Sequence, residues 1–186
     1  VEGIIKVYES SLPPCDWLHY DAFDDDKIAE QICRDANELK YQFFDTHKRI
    51  EPNQHYDTIN INNFGFRGQE ITKVKPEGVY RIFIVGGSTA FSLSSSDETT
   101  ISGFLQKKFD ALNLEQKIEV INAGVSGSFS YEENNLIKEY LLQFEPDFII
   151  GYDGGNDARY RIIEELPTYK KDISVGFFKL SDLKIY

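Results

Sequence analysis

The 186-residue sequence contains no methionine, not even at position 1. We therefore expect a processed chain or a piece of a longer one. It holds only two cysteines, Cys15 and Cys33, too few for the disulfide framework that staples small secreted domains. A single bridge and two free thiols both fit, so cysteine usage leaves the compartment open. No apolar run approaches the roughly 18 residues a membrane-spanning helix requires. The opening VEGIIKVYES lacks a basic stretch followed by an apolar one, and no signal peptide is expected there. Positive charge is also scarce. Lys and Arg number 20 against 31 Asp and Glu, a formal net charge of −11 with an isoelectric point near 4.7. Such a surface repels phosphate backbones, which argues against nucleic acid as a partner and against electrostatic docking on anionic lipid.

Histidine is the scarcity with most consequence. There are three, His19, His47 and His55, and all precede residue 60. No Cys/His spacing suggests a zinc site, and the residues imply no metal and no organic cofactor.

What is present is an ordinary globular composition. With 41% hydrophobic and 14% aromatic residues, the chain can bury the core of one domain. Two regions are expected. Residues 1–80 read as irregular with one helix, and residues 81–186 read as a strand–helix rhythm. In the first, Ile28, Ile32, Ala36, Leu39 and Phe43 recur at helical steps, predicting a helix from Asp24 to about Phe44. The acidic run Asp24-Asp25-Asp26 at its start favours the positive end of the helix dipole. Asn60 to Gly68 (NINNFGFRG) reads as a turn-rich loop.

In the second region, the apolar run from Arg81 to Val85 predicts a buried parallel strand. A helix is expected from Asp97 to Leu112, with Ile101, Phe104, Leu105, Phe109 and Leu112 on one face and Ser95 and Glu98 as a capping box. Ile118 to Ala123 is the next strand. Ser130 and Glu133 offer a second capping box for a helix to Phe144, whose buried stripe is Leu136, Ile137, Tyr140, Leu141 and Phe144. Pro146 ends it, and Asp147 to Tyr152 is the third strand. This βαβαβ order predicts three parallel strands joined by right-handed crossovers. Asp172 to Tyr186 is expected to add a strand or begin an insertion.

Each strand ends in a small-residue loop: GGSTAFS, GVSGSFS and DGGND. Ligands of open parallel sheets bind beyond the carboxyl ends of the strands, so the three loops should converge on one site. Gly86-Gly87-Ser88-Thr89 alone reads equally as a tight turn in which Ser88 or Thr89 caps a helix. It fits neither GxGxxG nor the GxxxxGK[ST] phosphate loop, and it lacks the GxSxG elbow. Arg67 reads as a structural ion-pair or loop-anchoring residue, with gripping a substrate as the alternative; Phe91, Phe129 and Tyr131, just after the loops, read as core aromatics, with lining an acyl or sugar pocket as the alternative.

The ordered blocks resemble those of the SGNH (GDSL-like) hydrolase family. Ile84-Val85-Gly86-Gly87-Ser88-Thr89 is similar to its first block, Asn122-Ala123-Gly124-Val125-Ser126-Gly127 to its second, and Gly154-Gly155-Asn156-Asp157 to its third. Asn63 to Gly68 resembles a segment that precedes the first block in many surface and polysaccharide-associated members. The resemblance implies a flavodoxin-like, three-layer α/β fold with a parallel sheet, incomplete at the C-terminal end. It implies a serine esterase that cleaves O-acyl groups from carbohydrate or lipid, without cofactor, and by analogy an extracellular or cell-surface location. Ser88 would be the nucleophile. Its N–H, that of Gly127 (with Gly124 as the alternative) and the Asn156 amide would form the oxyanion hole. Gly87, Thr89 and Asp157 flank these residues at the substrate site, Asp157 chiefly by hydrogen-bonding its loop. The family's general base is a histidine in a C-terminal D-x-x-H block, and no histidine follows Asn156 here. That departure opens a second expectation, an inactive domain that keeps the pocket to bind a glycan, lipid or protein. Neither reading determines the oligomeric state.

Overall fold

The computed structural model describes Cys15 and residues 26–158. His19, Asp24, Asp25 and the segment Asp172–Tyr186 lie outside the described residues. The described chain is mixed α/β. Helix α1 (Asp26–Glu38) leads into two antiparallel hairpins, β1 (Tyr41–Phe43) with β2 (Lys48–Ile50) and β3 (Gln54–His55) with β4 (Asn60–Ile61). Strand β5 (Val79–Gly86) is followed by a one-turn helix α2 (Ser88–Phe91) and helix α3 (Ile101–Ala111). Strand β6 (Lys117–Asn122), helix α4 (Ser130–Glu139), a 3-10 turn (Leu141–Phe144) and strand β7 (Phe148–Tyr152) complete it. Strands β6, β5 and β7 form a parallel three-stranded sheet in that order.

The central place of β5 follows from its sequence. In VYRIFIVG every residue but Tyr80 is buried, as expected for a strand covered on both faces. Ile84 stands beside Asn122 of β6 on one side and Ile150 of β7 on the other. The exception in chemistry is Arg81, fully buried. Its Nε and Nη2 donate to Glu119 Oε2 at 3.0 and 2.9 Å, and Nη1 donates to the Phe144 carbonyl at 2.8 Å. A buried charge is tolerable only when paired and hydrogen-bonded in this way. Ile50, Ile59, Ile61 and Phe66 share one core with Phe83 and Val85 of β5 and with Leu136, Leu141 and Phe144. Phe66 sets its ring edge-on to Phe83 and Phe144, with centroids 5.3 and 5.1 Å apart, a favourable aromatic geometry.

Several expectations need correction. Helix α1 stops at Glu38, and Phe43 lies on β1 with 78% of its surface exposed. The Gln54 amide intervenes: its Oε1 accepts from the Lys40 N–H at 2.8 Å and its Nε2 donates to the Lys40 and Glu51 carbonyls. These bonds turn the backbone out of the helix and into the hairpin. Ile28 also faces outward, and the buried side of α1 carries Ala29, Ile32 and Asp35. Helix α3 begins at Ile101, after a 3-10 turn at Asp97–Thr99. Its cap is the Thr100 hydroxyl, which accepts from the Gly103 N–H at 2.9 Å, and the expected box of Ser95 with Glu98 does not form. Ile101, Phe104 and Leu112 are exposed. Helix α4 ends at Glu139, short of the expected Phe144, although Leu136, Leu141 and Phe144 are buried as the periodicity predicts. Cys15 and Cys33 form a disulfide. No helix among the described residues is long and apolar enough to cross a membrane.

Candidate active site

The carboxyl ends of the three parallel strands deliver three loops to one place. A pocket of about 260 Å³ is lined by Gly87, Ser88 and Thr89 after β5, Ser128 after β6, and Tyr152 to Asn156 after β7. The order β6–β5–β7 means that the chain leaves β5 toward one side and later returns to the other. Such a switch point leaves a crevice at the strand ends, and Ser88 stands there.

Gly87 is where the loops touch. A Cβ at this position would lie 2.5 Å from the Asn156 amide nitrogen and 3.2 Å from the Ser128 carbonyl oxygen. The absent side chain is therefore what lets the third loop close on the first. The Asn156 Nδ2 donates to the Ser128 carbonyl at 2.5 Å, which ties the third loop to the second. An amide carries two N–H donors, so a second remains for a ligand. Ser88 is half-buried and opens the one-turn helix α2. Its hydroxyl makes no hydrogen bond to another described residue, and Ser88 also lines a second groove of about 380 Å³ with Thr89, Ser92 to Ser95, Thr99 and Ile101.

The second block divides its two glycines by environment. Gly124 is buried, and its N–H donates to Asn122 Oδ1 at 3.0 Å. A Cβ there would run into the Phe91 backbone nitrogen and stand 2.8 Å from the Ala90 carbonyl carbon. Gly124 thus serves close packing of the loop on α2. Gly127 is exposed, with φ of 75° in the left-handed region that favours glycine. It lies one residue before Ser128, which lines the pocket, while Gly127 itself does not.

Supporting side chains hold this edge rigid. Asn122, buried, donates from Nδ2 to the Ala90 and Phe91 carbonyls at 3.1 and 3.3 Å. Arg67 donates from Nη1 to the Phe91 and Ser92 carbonyls at 3.0 and 2.8 Å, from Nη2 to the Ser95 carbonyl at 2.5 Å, and from Nε to Asp97 Oδ1 at 2.7 Å. It anchors the turn that follows Ser88. Phe91 is fully buried in the core. Phe129 and Tyr131 stack on each other with centroids 6.4 Å apart, outside the pocket lining.

Asp157 does not line the pocket. Its carboxylate accepts from the Ser130 N–H at 3.1 Å and from the Ser130 hydroxyl at 2.5 Å. It supplies the cap of α4 that the expected pairing of Ser130 with Glu133 would have supplied. Glu133 turns inward instead. It is 4% exposed, its Oε1 has no hydrogen-bond partner among the described residues, and burial together with Asp153, Asp157 and Glu132 pushes its carboxyl up to about 9.

Three residues of this site were not singled out from the sequence: Ser128, Tyr152 and Asp153. Ser128 and Asp153 stand inside the GVSGSFS and DGGND loops, and small polar residues in such loops were the available signal. The histidines are elsewhere. His47 is buried, with Nδ1 3.1 Å from the Thr46 hydroxyl and 3.4 Å from Glu139 Oε2, and its ring stacks on Phe44. Burial holds its pKa below the ordinary value, against the pull of Glu139. His55 is exposed and pairs with Asn60. Neither lines the pocket. Among the described residues no group of three or more His, Cys, Asp or Glu side chains could hold a metal ion. Compared with models of known protein families and with curated proteins, the chain matches none.

Proposed function

We propose that this chain carries the nucleophile and oxyanion-hole part of an SGNH-type serine hydrolase acting on acyl esters. The observation that carries the reading is the meeting of Gly87, Ser128 and Asn156 beside Ser88. The strand order with β5 in the middle is that of flavodoxin-like sheets, which supports the three-layer fold the resemblance implies.

In this reading Ser88 Oγ attacks the ester carbonyl carbon, and its proton passes to a general base. Negative charge gathers on the former carbonyl oxygen. Donors fixed in advance lower that barrier, each by roughly 3–4 kcal/mol. The Ser88 and Gly127 N–H groups and the Asn156 amide are the donors. Gly127 is preferred over Gly124 because the Gly124 N–H is already taken by Asn122. The tetrahedral intermediate collapses, the alcohol leaves with the proton, and water then releases the acid from acyl-Ser88. Ser88 lines both the pocket and the groove, which would give acyl and alcohol parts separate places. The ester is proposed to be an O-acyl group on carbohydrate or lipid.

The second reading, a non-catalytic domain that binds such a ligand, is favoured by one observation. Neither described histidine lines the pocket. A fluorophosphonate probe separates the two. Labelling of Ser88 that is lost in Ser88→Ala supports the hydrolase. Absence of labelling, with retained binding of an acetylated glycoside or fatty-acyl ester, supports the binding domain.

A further inference from the structure

We propose that the groove beside Ser88 is a subsite for a neutral, polyhydroxylated ligand, a sugar rather than a fatty chain, and that it seats the alcohol part of the ester. The second half of this statement rests on the hydrolase reading above; binding of the sugar does not. At about 380 Å³ the groove falls within the roughly 300–1,000 Å³ usual for small-molecule sites. It is bounded by Ser88 and Thr89, by the turn at residues 92–95, and by Thr99 and Ile101 at the approach to α3.

Among the described residues its lining is rich in hydroxyls and carries no charge. Ser88, Thr89, Ser94 and Ser95 all border it, and their hydroxyls make no hydrogen bond to another described residue. A hydroxyl both donates and accepts, so this row can match the mixed donors and acceptors of a sugar. A fatty chain laid there would take water from these groups and return no hydrogen bond. A phosphate or carboxylate would need a cation. Arg67 is buried against Asp97, and Lys107 on α3 lies beside Glu98 and over the Phe104 ring. Leu93 is half-buried, and Ile101 keeps 41% of its surface exposed at the groove. Two apolar side chains among hydroxyls suit a ring that has a C–H face and a hydroxylated rim.

The wall that bears these hydroxyls is fixed before any ligand arrives. Arg67 holds the Phe91, Ser92 and Ser95 carbonyls and, through Asp97, the 3-10 turn that precedes α3. The Ser92 hydroxyl accepts from the Ile101 N–H at 3.1 Å, which ties the turn to the start of α3. The Asp97 N–H donates to the Thr58 carbonyl at 3.0 Å, so the far wall is held as well. A rigid wall spares a ligand the cost of ordering it. The pocket that contains Asn156 takes the ester carbonyl oxygen, which leaves the groove for the alcohol part.

The test is an NMR titration of the full chain with two esters that share an acetyl group: mixed mono-O-acetates of methyl glucoside, and octyl acetate. The amide resonances of Ser94, Ser95 and Thr99 should shift saturably with the sugar esters and stay still with octyl acetate. The double variant Ser94→Ala, Ser95→Ala keeps the backbone bonds of the turn and removes two free hydroxyls. It should bind the sugar esters at least tenfold more weakly. Groove shifts from octyl acetate at equal or higher affinity overturn the proposal. Shifts confined to residues outside the groove, no shift from either ester, and unchanged affinity in the double variant overturn it too. Labelling of Ser88 by diisopropyl fluorophosphate gives a separate arm. Sugar binding in the groove without labelling defeats the hydrolase reading and the alcohol-part assignment, and the sugar subsite stands. Labelling without sugar binding defeats the subsite and leaves the hydrolase reading intact.

Discussion

Gly87 and Asn156 approach so closely that a single methyl group on Gly87 would stand 2.5 Å from the Asn156 amide nitrogen. The atom it meets is the end of a flexible side chain, so the fold can yield by swinging that amide away. Gly87→Ala should therefore cost little stability, about 1 kcal/mol or less. It should nonetheless lower Ser88 labelling by as much as Asn156→Ala, for which loss of one oxyanion donor predicts about 10²–10³-fold. Labelling rates and thermal melts of the two variants check this. Unchanged labelling in Gly87→Ala would remove the amide from the mechanism.

Gly124 offers the opposite case. There the added Cβ meets the backbone of Phe91 and Ala90, which cannot rotate aside. Gly124→Ala should be destabilised by about 3 kcal/mol, at the upper end of overpacking costs. Urea denaturation measures it directly. A near-neutral result would mean that α2 does not pack on the second loop as described.

Arg67 should prove to be an anchor. Its buried guanidinium holds three carbonyls and Asp97. Arg67→Met should cost about 3–5 kcal/mol, because it strands the Asp97 carboxylate and those carbonyls. Arg67→Lys keeps the charge but not the planar fork, and should recover less than half of the loss. Full recovery in Arg67→Lys would show that charge alone matters.

Glu133 makes stability fall with alkalinity. Its folded pKa, about 9, lies above the ordinary 4.5. From about pH 4.5 to 9 the folded chain keeps a proton that the unfolded chain releases, so each rise in pH favours unfolding. The stabilisation is complete below the unfolded value and lost as pH climbs through the folded one. The wild type should thus lose stability relative to Glu133→Gln across this window. Denaturation midpoints of both proteins, compared at several pH values, read the difference, and parallel curves would refute it.

The three parallel strands and the buried Leu136, Leu141 and Phe144 were legible from the spacing of their apolar residues, whereas the hairpins β1–β2 and β3–β4, in a region read as irregular, were not. The convergence of three loops was legible too, since parallel strands must end at one edge. Helix α1 was overextended because Phe43 continues a helical spacing, and nothing local shows that the Gln54 amide will take the Lys40 backbone. The cap of α4 was misread for the same reason. Ser130 and Glu133 have the spacing of a capping box, yet Asp157, distant in sequence, wins the Ser130 hydroxyl. Gly127 was matched on paper with Gly124 as the alternative; the structure packs Gly124 under α2 and leaves Gly127 open to solvent.

The amino-acid sequence by itself determined the α/β alternation and the order of the small-residue loops, because these are properties of composition and spacing. Tertiary structure decided which side chains meet: Gly87 with Asn156, Arg67 with the turn after Ser88, Asp157 with Ser130. Those pairings depend on distances between segments far apart in the chain. Only packing around β5 sets such distances, and no local spacing encodes them.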